Sequence, residues 1–282
     1  RYVINYFAST KERFLGDLAT AENWQFSVAP PTGKRVLVVG AGPSGLSAAC
    51  HLARRGHAVE IREAGPVAGG MMHFGIPAYR MPRAELARDV DRILAMGVRL
   101  VTNHRVTDLL AEKRDGAFDA VFVAIGAQAG KHVDIPVADA AKVLDAVSVL
   151  HDASAGSPPL LGRRVVVYGG GNTAMDAART ARRLGATETV IVYRRDREHM
   201  PAHAFEADEA IEEGVKIKWL TSITQITGTD LTVEKMELDS TGRARPTGTY
   251  ETLSADAVIL ALGQQTDISF LSNIPGLAST AD

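Results

Sequence analysis

Apolar and polar positions fall into blocks along this chain, and the order of the blocks recurs. The short run 35–39 ends in Gly40, a small-residue segment with helical spacing follows over 46–55 and stops at Gly56, and 58–63 reads as a second strand that ends in Glu63. That order predicts strand, tight turn, helix and strand. Residues 83–96 read as an amphipathic helix closed by Gly97, 98–102 as a strand, and 119–126 as a buried strand with a small-residue ending. The opening order then returns: a strand over 164–168, a glycine turn, a helix over 175–184 stopped by Gly185, and a strand over 189–193. A helix over 203–213 and a strand over 215–220 come next. Residues 223–239 and 249–253 alternate like antiparallel strands around a turn at 240–242, a β addition to the second half. The apolar run 255–267 repeats the pattern of 119–126 and could lead the chain back to the first half. Ahead of everything, residues 3–18 place Tyr6, Phe7, Phe14 and Leu15 at helical spacing, and Pro30-Pro31 marks a boundary.

The two turns carry the chemistry. Gly40-Ala41-Gly42-Pro43-Ser44-Gly45 is G-x-G-x-x-G directly between strand and helix. There the first glycine makes the turn, the second lets the backbone approach a pyrophosphate, and the third lets helix and strand pack closely. The helix start adds free N–H groups and a positive dipole end. Glu63 lies about twenty residues on, where a ribose diol needs an acceptor. Gly169-Gly170-Gly171-Asn172-Thr173-Ala174 is the second turn, of the form G-x-G-x-x-A, and its next strand ends in Arg194-Arg195 where the first ends in Glu63. Paired guanidinium groups suit a 2′-phosphate, which a carboxylate repels, so the second site is set for NADP rather than NAD. An exposed arginine pair on a solvated loop is the alternative, and Arg197 is assigned to that role.

The stretch 64–82 is broken by glycines and prolines yet rich in apolar side chains. It is either a flat, mostly apolar ligand surface or a long packed connection. The glycines and prolines exclude a regular element there.

Composition narrows the classes. A chain of 282 residues, 46% apolar and 23% charged, is long enough for two domains with real cores. With 31 Lys plus Arg against 33 Asp plus Glu, the formal charge is -2, which provides no basic field for nucleic acid. No apolar run approaches the roughly 20 residues of a membrane span, so no membrane insertion is expected. Cys50 is the single cysteine, on the first turn's helix, which excludes an intrachain disulfide or dithiol pair and points to the cytoplasm. His199 and His203 have the spacing of a helical metal pair, but Pro201 interrupts the helix and no third ligand is evident. Asp176 and Glu206 are acid/base candidates that hydride transfer between two cofactors does not need. No catalytic side chain and no metal is assigned.

Taken together, 36–45, Gly69-Gly70, Phe74-Gly75-Ile76-Pro77, Ala124-Ile125-Gly126, the run 169–176, Tyr193-Arg194-Arg195 and Ala261-Leu262-Gly263-Gln264 resemble the NADPH-dependent glutamate synthase small (beta) subunit family. The flavin and NADP domains of dihydropyrimidine dehydrogenase are similar. The resemblance implies an α/β fold of two Rossmann-like domains, the NADP domain inserted in the FAD domain, behind a short helical lead. Its divisions are a lead over 1–33, the first part of the FAD domain over 34–130, the NADP domain over 131–255, and an incomplete return over 256–282. It places FAD at Gly40, Gly42, Pro43, Ser44, Gly45, Glu63, Ala64, Gly70, Met71, Ile76, Val106, Ala124 and Gly126. Glu63 meets the ribose, Val106 the adenine, and the 70–77 loop the isoalloxazine. NADPH falls at Gly170, Gly171, Asn172, Thr173, Asp176, Arg194 and Arg195, and Gly263 completes the set. The implied function is hydride transfer from NADPH to FAD, with electrons passed to iron–sulfur centres outside this chain in a partner subunit or domain. The alternative is a nucleotide-binding regulatory or scaffold subunit without turnover. Family members carry cluster-binding cysteines ahead of the lead and a Gly-Asp segment with a helix past the point where this sequence stops, so the chain is expected to be a piece of a longer protein.

Overall fold

The structure, a computed structural model, describes residues 10–131, 134–139, 141–272 and 274–277. One compact unit takes the chain up to Ala127 and again from Thr266, and a second, Gln128–Gln265, is inserted between those parts.

The first unit runs α1 (Thr10–Ala21), β1 (Arg35–Val39), α2 (Pro43–Arg54), β2 (Ala58–Arg62), α3 (Met71–Phe74), α4 (Arg83–Leu94), β3 (Arg99–Val101), α5 (Leu109–Asp115) and β4 (Ala120–Val123). Its sheet is parallel throughout, in the order β3-β2-β1-β4. From Val36 to Val39, strand β1 is apolar at every position because both its faces are covered. Val38 packs with Leu46, Ala49 and Ile93 on one side, and Leu37 and Val39 pack with Val106 and Phe118 on the other.

Three expectations change here. Among the described residues strand β4 has β1 as its one neighbour, and it is half-buried with Phe122 exposed. The 64–82 stretch does contain a regular element, the single turn α3. Gly70 enters it at φ 52°, and Arg83 holds its surroundings by donating to the carbonyls of Met72, Met81 and Ile76. The lead helix α1 extends to Ala21, with Ala19 buried and Phe14 and Leu15 exposed. Tyr6 and Phe7 lie outside the described residues.

The second unit runs β5 (Ala129–Gly130), β6 (Val137–Ala138), β7 (Val143–Asp145), α6 (Ala146–Ser154), β8 (Arg164–Tyr168), α7 (Asn172–Arg183), β9 (Glu188–Val192), α8 (Ala204–Glu212), β10 (Lys216–Lys218), β11 (Thr221–Thr227), β12 (Asp230–Leu238), β13 (Ala244–Ser254), β14 (Ala257–Leu260) and β15 (Gln264–Gln265). A parallel sheet, β10-β9-β8-β14-β7, is joined by a second sheet, β13-β12-β11-β6. Helix α7 turns Ala174, Met175, Ala177, Ala178 and Ala181 inward, all fully buried with Val165, Val167 and Ile191; alanines allow the helix to sit close to the sheet. On the sheet's other face Val166, Tyr168 and Val192 pack against Ile223, Ile226, Leu231 and Val233 of the β addition.

The expected return at residue 256 is displaced. Strand β14 lies between β8 and β7, paired in parallel with both, and the second unit continues to Gln265. Its start also moves, from 131 to Gln128. The alternating stretch 223–239 is two strands, divided by a turn in which Gly228 takes φ 59°. Among the described residues no helix is long and apolar enough to cross a membrane.

Candidate functional site

Each unit presents a glycine turn at the carboxyl end of a central parallel strand, feeding a helix. In the first unit Gly40 has φ 103°, and a Cβ there would fall 2.3 Å from the Ala124 carbonyl oxygen. A Cβ on Gly45 would fall 1.9 Å from the Gly40 carbonyl oxygen, so the first turn of α2 lies against the loop. Gly42 differs from both. It is the residue before α2, with φ -74° and ψ -178°, a conformation open to any residue. A Cβ on it would meet nothing nearer than the Gly70 Cα at 4.0 Å. Neither backbone nor packing therefore demands glycine at this position, and what remains is the space in front of it.

Glu63 organises this turn. Its Oε2 accepts from the Ala41 N–H at 2.7 Å and its Oε1 from the Gly65 N–H at 2.7 Å. The Ala41 carbonyl in turn accepts from the Gly69 N–H at 2.8 Å, which ties the 64–70 loop to the turn. A carboxylate has about four acceptor directions, so two remain for a diol. Gly70 closes over Gly42: a Cβ on it would lie 2.8 Å from the Gly42 Cα. Ala64 and Ser44 are exposed, Pro43, Met71 and Ile76 half-buried, and Gly126 exposed with φ 67°. Val106 is buried beside Leu37 and Val39. Cys50 is buried on α2, and burial pushes its thiol up.

The second turn repeats the arrangement. Gly169, with φ 149°, would place a Cβ 2.2 Å from the Ala261 carbonyl oxygen. Gly171 stands before α7 with φ -92° and ψ 175°, and a Cβ on it would meet nothing within 4 Å. The Asn172 Oδ1 accepts from the His203 N–H at 3.0 Å, and the Gly170 carbonyl accepts from the Ala202 N–H at 3.0 Å. The 200–203 segment is thereby fastened to the turn, a link that spacing alone did not signal. Thr173 is half-buried at the start of α7, and Asp176 is buried one turn in. Gly263 has φ 108° and accepts from the Lys131 N–H at 3.0 Å.

At the tip of β9, Arg194 is exposed and forms no ion pair among the described residues, while Arg195 is half-buried and donates through Nε to the Tyr193 hydroxyl at 2.9 Å. Arg197 pairs with Asp208 at 2.5 Å, which fits its assignment to the surface. His199 Nδ1 lies 2.7 Å from Asp196 Oδ1, a contact that holds the Asp196 carboxyl below the usual carboxylate range. Among the described residues no group of three or more His, Cys, Asp or Glu is placed to hold a metal ion.

A sequence model of the pyridine nucleotide-disulphide oxidoreductases matches residues 34–280. The chain belongs to that family. It is 42% identical over 260 residues to the NADP(+)-dependent formate dehydrogenase subunit beta of Moorella thermoacetica, covering 87% of this chain and 37% of the relative. It is 35% identical over 292 residues to a protein of Cereibacter sphaeroides named as a glutamate synthase (NADPH) small chain, covering 95% of this chain and 71% of the relative. The resemblance drawn from the motifs thus meets a relative of that name. FprA of Mycobacterium tuberculosis in complex with NADPH superposes with a TM-score of 0.70 over 84% of this chain and 71% of FprA. At 21% identity that likeness establishes the two-unit fold. The chain spans only 37% and 43% of the length of two of its curated relatives.

Proposed function

We propose that the chain is the dinucleotide-binding part of an NADPH-dependent flavoprotein oxidoreductase, with FAD at the first turn and NADPH at the second. The observation that carries this reading is the pair Gly42 and Gly171. Both precede a helix and both have a backbone conformation open to any residue, and a Cβ would clash with nothing at either, touching only the Gly70 Cα at 4.0 Å on Gly42 and meeting nothing within 4 Å on Gly171. Glycine at such a place serves a backbone that a pyrophosphate must approach.

At the first turn, the remaining acceptor capacity of Glu63 takes the ribose hydroxyls, and Val106 borders the adenine. Gly70, Met71 and Ile76 border the isoalloxazine, and Ala64, Ala124 and Gly126 belong to the same FAD site. At the second, Asn172 and Thr173 lie by the pyrophosphate near Asp176, with Gly170 and Gly263 close by and Arg194 and Arg195 at the 2′-phosphate. FAD, when bound, supplies hydride acceptance from NADPH and release of electrons one at a time. This chain's residues bind and orient; none is given a proton-transfer role. The electrons go to iron–sulfur centres in another part of the protein or in a partner subunit. The names of two relatives, a subunit beta and a small chain, support a partner subunit.

The test is anaerobic titration of FAD-loaded, desalted protein with NADPH and with NADH. Bleaching of the flavin at least about tenfold faster with NADPH is the expected result. Equal rates would remove the NADP assignment. Bound flavin that neither nucleotide reduces would leave only a binding role.

A further inference from the structure

Gly170 is glycine for a reason that the fingerprint does not contain. It is the free position between the two motif glycines, and its φ is not positive. A Cβ on it would fall 2.4 Å from two ring carbons of Tyr193. Tyr193 is 6% exposed at the end of β9, directly beneath the turn. Its N–H donates to the Lys218 carbonyl and its carbonyl accepts from the Thr221 N–H, both at 3.0 Å, so its position is set by the sheet. Trp219 packs edge-on against the ring at 6.3 Å.

The Tyr193 hydroxyl then makes two contacts. It donates to the His199 carbonyl at 2.7 Å and accepts from Arg195 Nε at 2.9 Å. The Arg195 guanidinium carbon sits 5.8 Å from the ring centroid, and the Arg195 carbonyl accepts from the Leu220 N–H at 3.1 Å. One buried side chain therefore touches the glycine turn with its ring and holds the second arginine with its hydroxyl. Arg195 spends Nε on the tyrosine, and among the described residues its two terminal amino groups donate to nothing. Arg194 is exposed and has no such anchor among the described residues.

We propose that Tyr193 is a positioning residue for nucleotide selection, fixing Arg195 relative to the pyrophosphate turn so that a 2′-phosphate meets a preset pair of donors. This rests on the second turn being an NADP site. An arginine whose orientation is already fixed loses less freedom when it binds a phosphate, so the gain appears as discrimination between nucleotides with and without that group.

The experiment is calorimetric titration of 2′,5′-ADP and 5′-AMP into the wild-type protein, Tyr193→Phe, Arg195→Ala and the double variant, with thermal unfolding of each. Tyr193→Phe keeps the ring against Gly170 and removes only the hydroxyl. The expected result is a loss of about five- to tenfold in affinity for 2′,5′-ADP and less than about twofold for 5′-AMP. The double variant should bind 2′,5′-ADP no more weakly than Arg195→Ala, because the tyrosine acts through the arginine. A wild-type protein that does not prefer 2′,5′-ADP overturns the NADP reading itself. A wild-type preference that survives Tyr193→Phe, equal losses for both ligands, additive losses in the double variant, or an unfolded Tyr193→Phe would each overturn the positioning role alone.

Discussion

In both units the first glycine of the turn lies under a carbonyl at the end of the neighbouring strand, Ala124 O for Gly40 and Ala261 O for Gly169. In both, the second glycine could carry a Cβ without a clash, in contact with the Gly70 Cα at 4.0 Å for Gly42 and with nothing within 4 Å for Gly171. The third position separates them. Gly45 has no room for a Cβ, whereas Ala174 carries one and is fully buried in the core of its unit. The strand tips differ as well: Glu63 is drawn into the turn by two backbone N–H groups, and the arginines stand outside theirs, one anchored by Tyr193 and one exposed. The same strand–turn–helix frame thus tolerates different helix packing and opposite charge at its tip. The charge at the strand tip can diverge while the backbone of the glycine turn stays alike.

The largest effect should come from exchanging the third positions. Gly45→Ala forces a Cβ onto backbone and should cost at least about 3 kcal/mol, whereas Ala174→Gly should cost about 1 kcal/mol from helix propensity and lost packing. Denaturant unfolding of the two variants measures both, and similar costs would mean that the two helices pack on their turns in the same way. Next come the open glycines. Gly171→Ala should leave the melting temperature within a few degrees of wild type but weaken 2′,5′-ADP binding about thirtyfold, or about 2 kcal/mol, by filling the space a phosphate needs. Gly42→Ala should likewise lower flavin retention after desalting without unfolding the protein.

Arg194→Ala should reduce NADPH affinity about tenfold and NADH affinity little, as removal of one charge-assisted donor predicts. An equal effect on both nucleotides would return Arg194 to the solvated surface.

The smallest effects concern acid, and here the units should respond in opposite directions. In the first, burial pushes the Asp89 carboxyl up to about 6, with Glu85 and Asp17 adding to the shift and Arg92 and Arg88 opposing it. The folded state then holds this proton more tightly than the unfolded chain does. Stability should rise as the pH falls from about 6 towards 3.8. In the second unit, Arg183 and Arg179 hold Glu213 down at about 2. That contribution is present above the ordinary value of 4.5 and is lost as the pH falls from there towards 2. Each amounts to about 1 kcal/mol after allowance for partial exposure. Asp89→Asn should flatten the first slope and Glu213→Gln the second, read from unfolding curves across pH.

Much of this frame was visible as periodicity. A strand covered on both faces must be apolar at every position, and a helix packed closely on a sheet must be small there, so β1, α2, β8 and α7 announced themselves. In the region 127–163, β5, β6 and β7 have two or three residues each, too few for a period to show, whereas the nine-residue α6, with Ala146, Val147, Val149 and Leu150 buried, carried a signal that went unread. The apolar run of β4 suggested a buried strand, and among the described residues it pairs with β1 alone, since a run of branched residues reports β structure and not the number of neighbours.

The glycine fingerprints, the acid at the first strand tip and the arginines at the second were fixed by local sequence, because each depends on spacing along one short strand–turn–helix segment. What folding alone decided was long-range pairing: β14 placed between β8 and β7, the 200–203 segment fastened to the second turn, and Glu63 closed onto Ala41 and Gly65. Gly170 shows the division most clearly. Its need to be glycine comes from the ring of Tyr193, twenty-three positions away and brought beneath it by the pairing of β8 with β9. Contacts of that kind depend on which strands become neighbours, and the hydrogen-bonding groups that pair strands are the same at every residue, so the order of neighbours is settled only when the whole sheet assembles.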